Sequence, residues 1–229
     1  MSNTTDRFGR QRDLVPQARL AGLCVTVVGA GAIGRQVALQ LAALGARRLE
    51  LVDFDAVDAT NVTTQGYRAG DVGVLKVEAL AADLRQLDAE LDVAIVADRW
   101  RPRRPLGDVA FCCVDRISTR AAIWRGGGVR TAFWADGRLR GDTVRVLTAG
   151  DAATRARYEQ SLFPQAEAQM GACTAGGTIY AAAVAAGLLI AQFVRWLRGQ
   201  PTASDLTLNL LADELAPTAA AAPEILKST

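Results

Sequence analysis

A short β-branched run, Leu23-Cys24-Val25-Thr26-Val27-Val28, passes directly into Gly29-Ala30-Gly31-Ala32-Ile33-Gly34 and then into a helical stretch that ends at Leu44. Few folds accept that order. Glycines between a buried strand and a helix let an anionic group approach backbone N–H donors at the positive helix N-terminus. Gly45 stops the helix, residues 49–52 form a second strand, and Asp53 ends it, where a carboxylate can accept hydrogen bonds from ribose hydroxyls. Glycines that serve only tight strand–helix packing are the plainer reading. The loop and Asp53 together predict a nucleotide site without separating NAD from ATP.

The same alternation continues along the chain. Residues 71–87 have helix-forming composition, 93–96 and 108–113 read as strands, and 118–124 as a helix. Residues 129–134 and 143–147 read as hairpin-like strands around the turn-rich Asp136-Gly137-Arg138 and Gly141-Asp142. Residues 148–172 lack clear periodicity, 173–197 form a long helix with an irregular entry, and 206–211 a last strand. With 229 residues, half of them apolar, one core is expected. The predicted class is α/β: a Rossmann-like, mostly parallel sheet flanked by helices, with an additional antiparallel edge region. Arg101-Pro102-Arg103-Arg104-Pro105 reads as a solvated, proline-broken linker.

Composition narrows the chemistry. The chain has no histidine, which removes the usual general base, the usual metal ligand and every Ser-His or Cys-His pair. Cys24, Cys112, Cys113 and Cys173 lack the C-x-x-C spacing of a structural zinc or a redox dithiol. A net charge of +2 makes no case for nucleic acid or a membrane surface as the main partner. Without a secretory signal pattern, the expected location is the cytoplasm, with reduced thiols. Residues 174–194 carry no charge, but they are rich in Ala and Gly and their most apolar part is short, so a buried helix is expected there.

The residues after Asp53 separate the nucleotide chemistries. Asp53-Phe54-Asp55 leads to Asn61, Gln65 and Lys76, a polar series suited to phosphates rather than to hydride transfer. Lys76 standing alone would be an ordinary solvated helix lysine. With Arg7-Phe8-Gly9-Arg10-Gln11, the Val27 to Gly34 loop, Leu51 to Asp55, Gly73, Asp115 with Arg120, and Cys173 before a small-residue helix, the chain resembles the ThiF/MoeB superfamily. That superfamily includes the adenylation domains of ubiquitin-activating enzymes.

The resemblance implies a nucleotide site of Gly29, Gly31, Ile33, Gly34, Asp53, Asp55, Asn61, Gln65 and Lys76, binding ATP with Mg2+ on Asp115. It implies that Arg10 reaches into a partner subunit's site, hence a homodimer. The implied activity is adenylation of the C-terminal carboxylate of a ubiquitin-like protein ending in Gly, followed by transfer to Cys173 as a thioester for a conjugating-enzyme-like partner. Arg10, Lys76, Asp115 and Cys173 form the implied catalytic set. Cys173 lies at the approach to a helix whose dipole favours a thiolate, the alternative being a buried thiol at a helix entrance. The implied layout is an N-terminal arm over 1–22, an adenylation domain over 23–215 with a crossover near 148–177, and a mobile tail over 216–229.

Two positions depart from the family pattern. Thr64 stands where an arginine is usual, and Arg116 stands where an asparagine usually follows the magnesium aspartate; Arg68 or Arg116 would supply the missing charge, or adenylation is weakened. The pattern is most similar to compact bacterial members found beside ubiquitin-like proteins in antiviral conjugation operons. Sulfur-carrier activation for thiamin or molybdopterin synthesis is the alternative within the family. An NAD-dependent oxidoreductase and a non-catalytic nucleotide-binding scaffold are the alternatives outside it.

Overall fold

The structure is a computed structural model that describes residues 7–164 and 177–217. Its centre is an eight-stranded sheet. The chain enters through β1 (Cys24–Val28), crosses over α2 (Ala32–Leu44) to β2 (Arg48–Val52), and continues through α3 (Ala59–Gln65) and α4 (Lys76–Leu87) to β3 (Asp92–Val96). It then returns to the other side of β1 for β4 (Val109–Cys112), α5 (Ile117–Gly126) and β5 (Phe133–Arg140). From there β6 (Thr143–Ala149), α6 (Ala152–Gln160), α7 (Ile179–Leu197), β7 (Asp205–Asn209) and β8 (Glu214–Pro217) complete the described chain. A short α1 (Gln17–Ala21) precedes β1. The spatial order is β3-β2-β1-β4-β5-β6-β7-β8, parallel through β5 and antiparallel from β5 onward.

Alternation along the strands sorts the side chains into two cores. Val25, Val27, Leu49, Leu51, Phe111, Phe133 and Ala135 pack under α2, α4 and α7. Val28, Ala110, Cys112 and Trp134 face α5 and α6, where Trp124 and Tyr158 meet them. Strands covered on both faces read as continuous apolar runs. Helix α7 is long and apolar enough to cross a membrane, yet Ala181, Ala182, Ala185, Ala186, Leu189 and Phe193 are fully buried against α2 and the sheet.

The parallel, helix-flanked sheet with its antiparallel edge agrees with the expectation, and several local expectations are corrected. Residues 128–130 form a 3-10 turn rather than strand, and β5 starts at Phe133. Asp136-Gly137-Arg138 lies inside β5 and is not a turn; the buried charges pair with each other, which hydropathy does not register. Within 148–172, α6 forms behind an Asp151 N-cap whose carboxylate accepts the Thr154 N–H at 2.8 Å. Helix α4 begins at Lys76 rather than at residue 71. The last strand is shifted to β7, and β8 follows it. The proline-broken linker is tethered, because the Arg104 guanidinium holds Glu50 on β2 at 2.6 and 3.0 Å. Most of the expected tail and most of the crossover's second half, residues 218–229 and 165–176, lie outside the described residues.

Candidate functional site

The chain runs from β1 outward to β3 and then returns to the opposite side of β1, so a crevice opens at the carboxyl ends of β1 and β4. In open α/β sheets, ligands bind at such a switch point. The loops after β1 and β4 touch there. Gly29 adopts φ +94°, and a Cβ on it would stand 2.7 Å from the Cys113 carbonyl oxygen. A Cβ on Gly34 would stand 1.8 Å from the Gly29 carbonyl oxygen. Both glycines are therefore required by the protein's own packing.

Gly31 is different. It is the N-cap of α2 at φ −76°, open to any residue, and a Cβ on it would meet only the Gln65 Oε1, at 4.0 Å. Among the described residues, nothing else stands within 4 Å of that position at the helix N-terminus. Gln65, the last residue of α3, overlooks that position with a buried Oε1 that has no hydrogen-bond partner among the described residues. Buried polar atoms are rarely left unpaired, so this oxygen has unused accepting capacity beside the loop.

The surrounding groups brace the same loop. Asp53 accepts the Ala30 N–H at 2.6 Å on one oxygen and the Asp55 N–H at 2.8 Å on the other. Each carboxylate oxygen retains a lone pair for a ribose hydroxyl. Tyr67, buried beneath, donates its hydroxyl to the Ala30 carbonyl at 2.6 Å, and burial pushes its phenol well above the usual range. Lys76 opens α4, and its ammonium, almost fully covered, reaches the half-exposed Asp55 carboxylate at 3.2 Å. The Ala56–Leu75 bridge and the Gly73 N–H to Val57 carbonyl bond set that pairing. Asn61 closes a capping box: its Oδ1 accepts the Asp58 N–H at 3.0 Å, while Asp58 accepts the Thr60 N–H at 2.8 Å. The amide NH2 of Asn61 is thereby left as the donor, the polarity a phosphate oxygen needs.

Other expected residues fall elsewhere. The Ile33 side chain is core, packed toward Gly137, so Ile33 can serve a nucleotide only through its backbone N–H at the helix start. Thr64 returns its hydroxyl to the Thr60 carbonyl at 2.7 Å. Arg68 is engaged by Asp83 at 2.7 Å and Gln86 at 3.4 Å. Arg116, exposed beside Asp115, has no ion-pair partner among the described residues. Of the two arginines named for the missing charge, Arg116 is therefore the one available.

Arg10 lies in a 3-10 turn at the far end of α2, where Gln11 donates to the Leu44 carbonyl at 3.2 Å and Phe8 lies against Gly45. Helix α2 has 13 residues, which separates Arg10 from the glycine loop by roughly 20 Å. Arg10 does not enter this chain's own site. Cys173 lies outside the described residues. Burial raises the thiol pKa of Cys24, Cys112 and Cys113, which keeps them protonated and inert.

Asp115 stands exposed just past β4, without an ion-pair partner among the described residues. Among those residues no three acidic, cysteine or histidine side chains gather into a cage. A lone carboxylate with no ion-pair partner among the described residues fits Mg2+, since that ion is commonly held by one or two carboxylates, substrate phosphates and water. Tyr67 was not singled out in the sequence, because its partner, the Ala30 carbonyl, is remote in the chain and no local pattern marks the pair.

Fold and site together define an α/β nucleotide-binding protein with a glycine loop at the α2 N-terminus and Asn61 and Lys76 among the residues after β2. The chain belongs to the ThiF family, which matches residues 4–222. A 113-residue stretch is 38% identical to the adenylyltransferase and sulfurtransferase MOCS3 of Bos taurus, covering 47% of this chain and 25% of that protein. A 129-residue stretch is 42% identical to the adenylyltransferase and sulfurtransferase uba4 of Aspergillus terreus, covering 51% of this chain and 26% of that protein. The match thus spans about a quarter of these relatives' length. The fold is similar to that of E. coli MccB with ATP, at a TM-score of 0.73 and 18% identity, over 93% of this chain and 71% of that one. The same protein with AMPCPP and MccA superposes equally well, at a TM-score of 0.73.

Proposed function

We propose that this chain is an adenylyltransferase that activates the C-terminal carboxylate of a ubiquitin-like carrier protein with ATP. The observation that carries this reading is the open side of Gly31: among the described residues only the Gln65 side chain faces this helix N-terminus, and its unpartnered Oε1 can accept from a nucleotide hydroxyl or, by rotation of the amide, give way to the NH2 as a phosphate donor. A carboxylate oxygen of the carrier attacks the α-phosphorus, an acyl-phosphate bond forms, the bond to the bridging oxygen breaks, and pyrophosphate leaves. Two anions must meet for this to occur. Lys76 supplies fixed positive charge, the Asn61 amide and the α2 N-terminus supply donors, and Asp53 holds the ribose. Mg2+ on Asp115 would offset phosphate charge when bound. None of these roles requires histidine.

Arg10, remote from its own site, fits a homodimer in which each protomer completes its partner's site. Cys173 is assigned the second step, in which its thiolate attacks the acyl-adenylate, forms a thioester and releases AMP. That thioester would serve a conjugating-enzyme-like partner in the cytoplasm, in an antiviral conjugation system. The names of the MOCS3 and uba4 relatives favour a second reading, sulfur-carrier activation. The two differ in product: a carrier thioester on Cys173 in one, a carrier thiocarboxylate in the other.

The test is exchange of labelled pyrophosphate into ATP in the presence of a carrier ending in Gly. Lys76→Ala is expected to lower exchange by about 10²-fold, the usual loss for one preorganised charge. It should not unfold the protein, because the Asp55 it leaves is half-exposed. Unchanged exchange in that variant removes Lys76 from the mechanism. Nicotinamide-cofactor binding without ATP binding would replace the adenylation reading with an oxidoreductase, and ATP binding without exchange would replace it with a scaffold.

A further inference from the structure

Asp136 is fully buried in the middle of β5, among Trp124, Trp134 and Tyr158. A carboxylate desolvated this completely persists only if its oxygens are paired. Here they are. The Arg138 Nε and the Tyr158 hydroxyl each donate to Oδ2 at 2.9 Å, and the buried Arg120 donates to Oδ1.

The second contact of Arg120 gives this cluster a functional direction. Its other guanidinium nitrogen donates to the carbonyl of Val114, the residue immediately before Asp115. In the sheet, Asp136 pairs in register with Cys112, so the cluster lies directly beneath the loop that leaves β4. A planar guanidinium with one edge on a fixed carboxylate and the other on that carbonyl sets the height and rotation of the loop. On its other side Asp136 is itself fixed: Arg138 also donates to the Ser161 carbonyl at 3.1 Å and to the Ser161 hydroxyl at 3.0 Å, at the end of α6.

We propose that Asp136 is a positioning residue for Asp115, acting through Arg120 to hold the loop after β4 where its carboxylate meets a nucleotide-bound divalent cation. The proposal rests on the role given to Asp115 above. Partners one shell removed from a cation typically change its affinity 10–100-fold when lost. A buried ion pair that served packing alone would affect folding and leave cation response unchanged.

The experiment is calorimetric titration of ATP into the full chain, in EDTA and in Mg2+, with thermal unfolding followed alongside. In the wild type Mg2+ tightens ATP binding, and Asp115→Ala removes that gain. Asp136→Asn is expected to reduce the gain by about tenfold or more while affinity in EDTA stays within about twofold. Arg120→Lys keeps the charge facing Asp136 but cannot span both acceptors, and gives the same loss should Asp136→Asn fail to fold. Tyr158→Phe keeps the ring and removes one bond to Asp136; it lowers the unfolding midpoint and leaves the Mg2+ gain intact. A Mg2+ gain preserved in Asp136→Asn or Arg120→Lys overturns the proposal while the adenylation reading stands. A wild type without any gain, or a gain insensitive to Asp115→Ala, overturns the role of Asp115 and the positioning role with it.

Discussion

Gly29, Gly31 and Gly34 share one motif and answer to different constraints. Gly29 combines a left-handed φ with contact against the Cys113 carbonyl, and Gly34 has the Gly29 carbonyl where a Cβ would go. Gly31 has neither constraint. Alanine substitutions should therefore divide. Gly34→Ala forces backbone apart between α2 and the loop, lowering the unfolding midpoint by several degrees and abolishing ATP binding. Gly31→Ala costs no more than a weakened cap, about 1 kcal/mol, yet places a methyl group where phosphate would lie. We expect at least a tenfold loss of ATP affinity by calorimetry with a near-native midpoint. Equal affinity in Gly31→Ala would remove the phosphate from that space. The glycine spacing was visible in the sequence; which glycine faces ligand was not, because that depends on Cys113 and Gln65.

At the scale of elements, α3 shows how a short helix without a buried residue is held in place. Its start is fixed by the Asp58–Asn61 box and its end by Gly66 at φ +78°. Asn61 was legible as a candidate from its place after Asp53, whereas the dual duty of its amide, carbonyl to the cap and NH2 to the ligand side, emerged only with the fold. Asp58→Ala should release the Asn61 carbonyl to rotate and compete. ATP binding should weaken severalfold with little change in the unfolding midpoint, and unchanged binding would mean that Asn61 acts independently of the box. Strand β5 makes the opposite case. Asp-Gly-Arg reads as a turn from local chemistry, yet Arg120 from α5 and Arg138 offset the Asp136 charge, Tyr158 from α6 donates to it, and the strand runs straight through. Helix α6 was missed for a related reason: apart from Tyr158, none of its residues is buried, so no apolar stripe marks it.

Across the whole molecule, acidic side chains with raised pKa values sit on both faces of the sheet. Burial raises Cys112 and Tyr158 between the sheet and α5–α6, and Cys113 and Tyr67 on the α2 side. A raised folded pKa means that the native state keeps its proton where the unfolded chain has released it. The contribution is therefore fully present below the unfolded thiol value of about 8.5 and is lost as pH rises above it. The unfolding midpoint should fall steadily from pH 8 to pH 10, and Cys113→Ala should make that decline shallower. A midpoint flat across that range would contradict the burial of these groups.

The strand–glycine–helix order, the acidic end of β2 and the polar series through Lys76 were determined by sequence alone, because each is a local pattern with a local physical cause: backbone freedom, helix polarity, side-chain charge. Tertiary structure decided what depends on distant partners. It placed Arg10 at the wrong end of α2 for its own site, left Gly31 open among the described residues, committed Arg68 to Asp83, and put a paired carboxylate beneath the Asp115 loop. Interactions between residues tens of positions apart have no signature in spacing or periodicity. They exist only once the sheet has brought the carboxyl ends of β1, β2 and β4 to one edge.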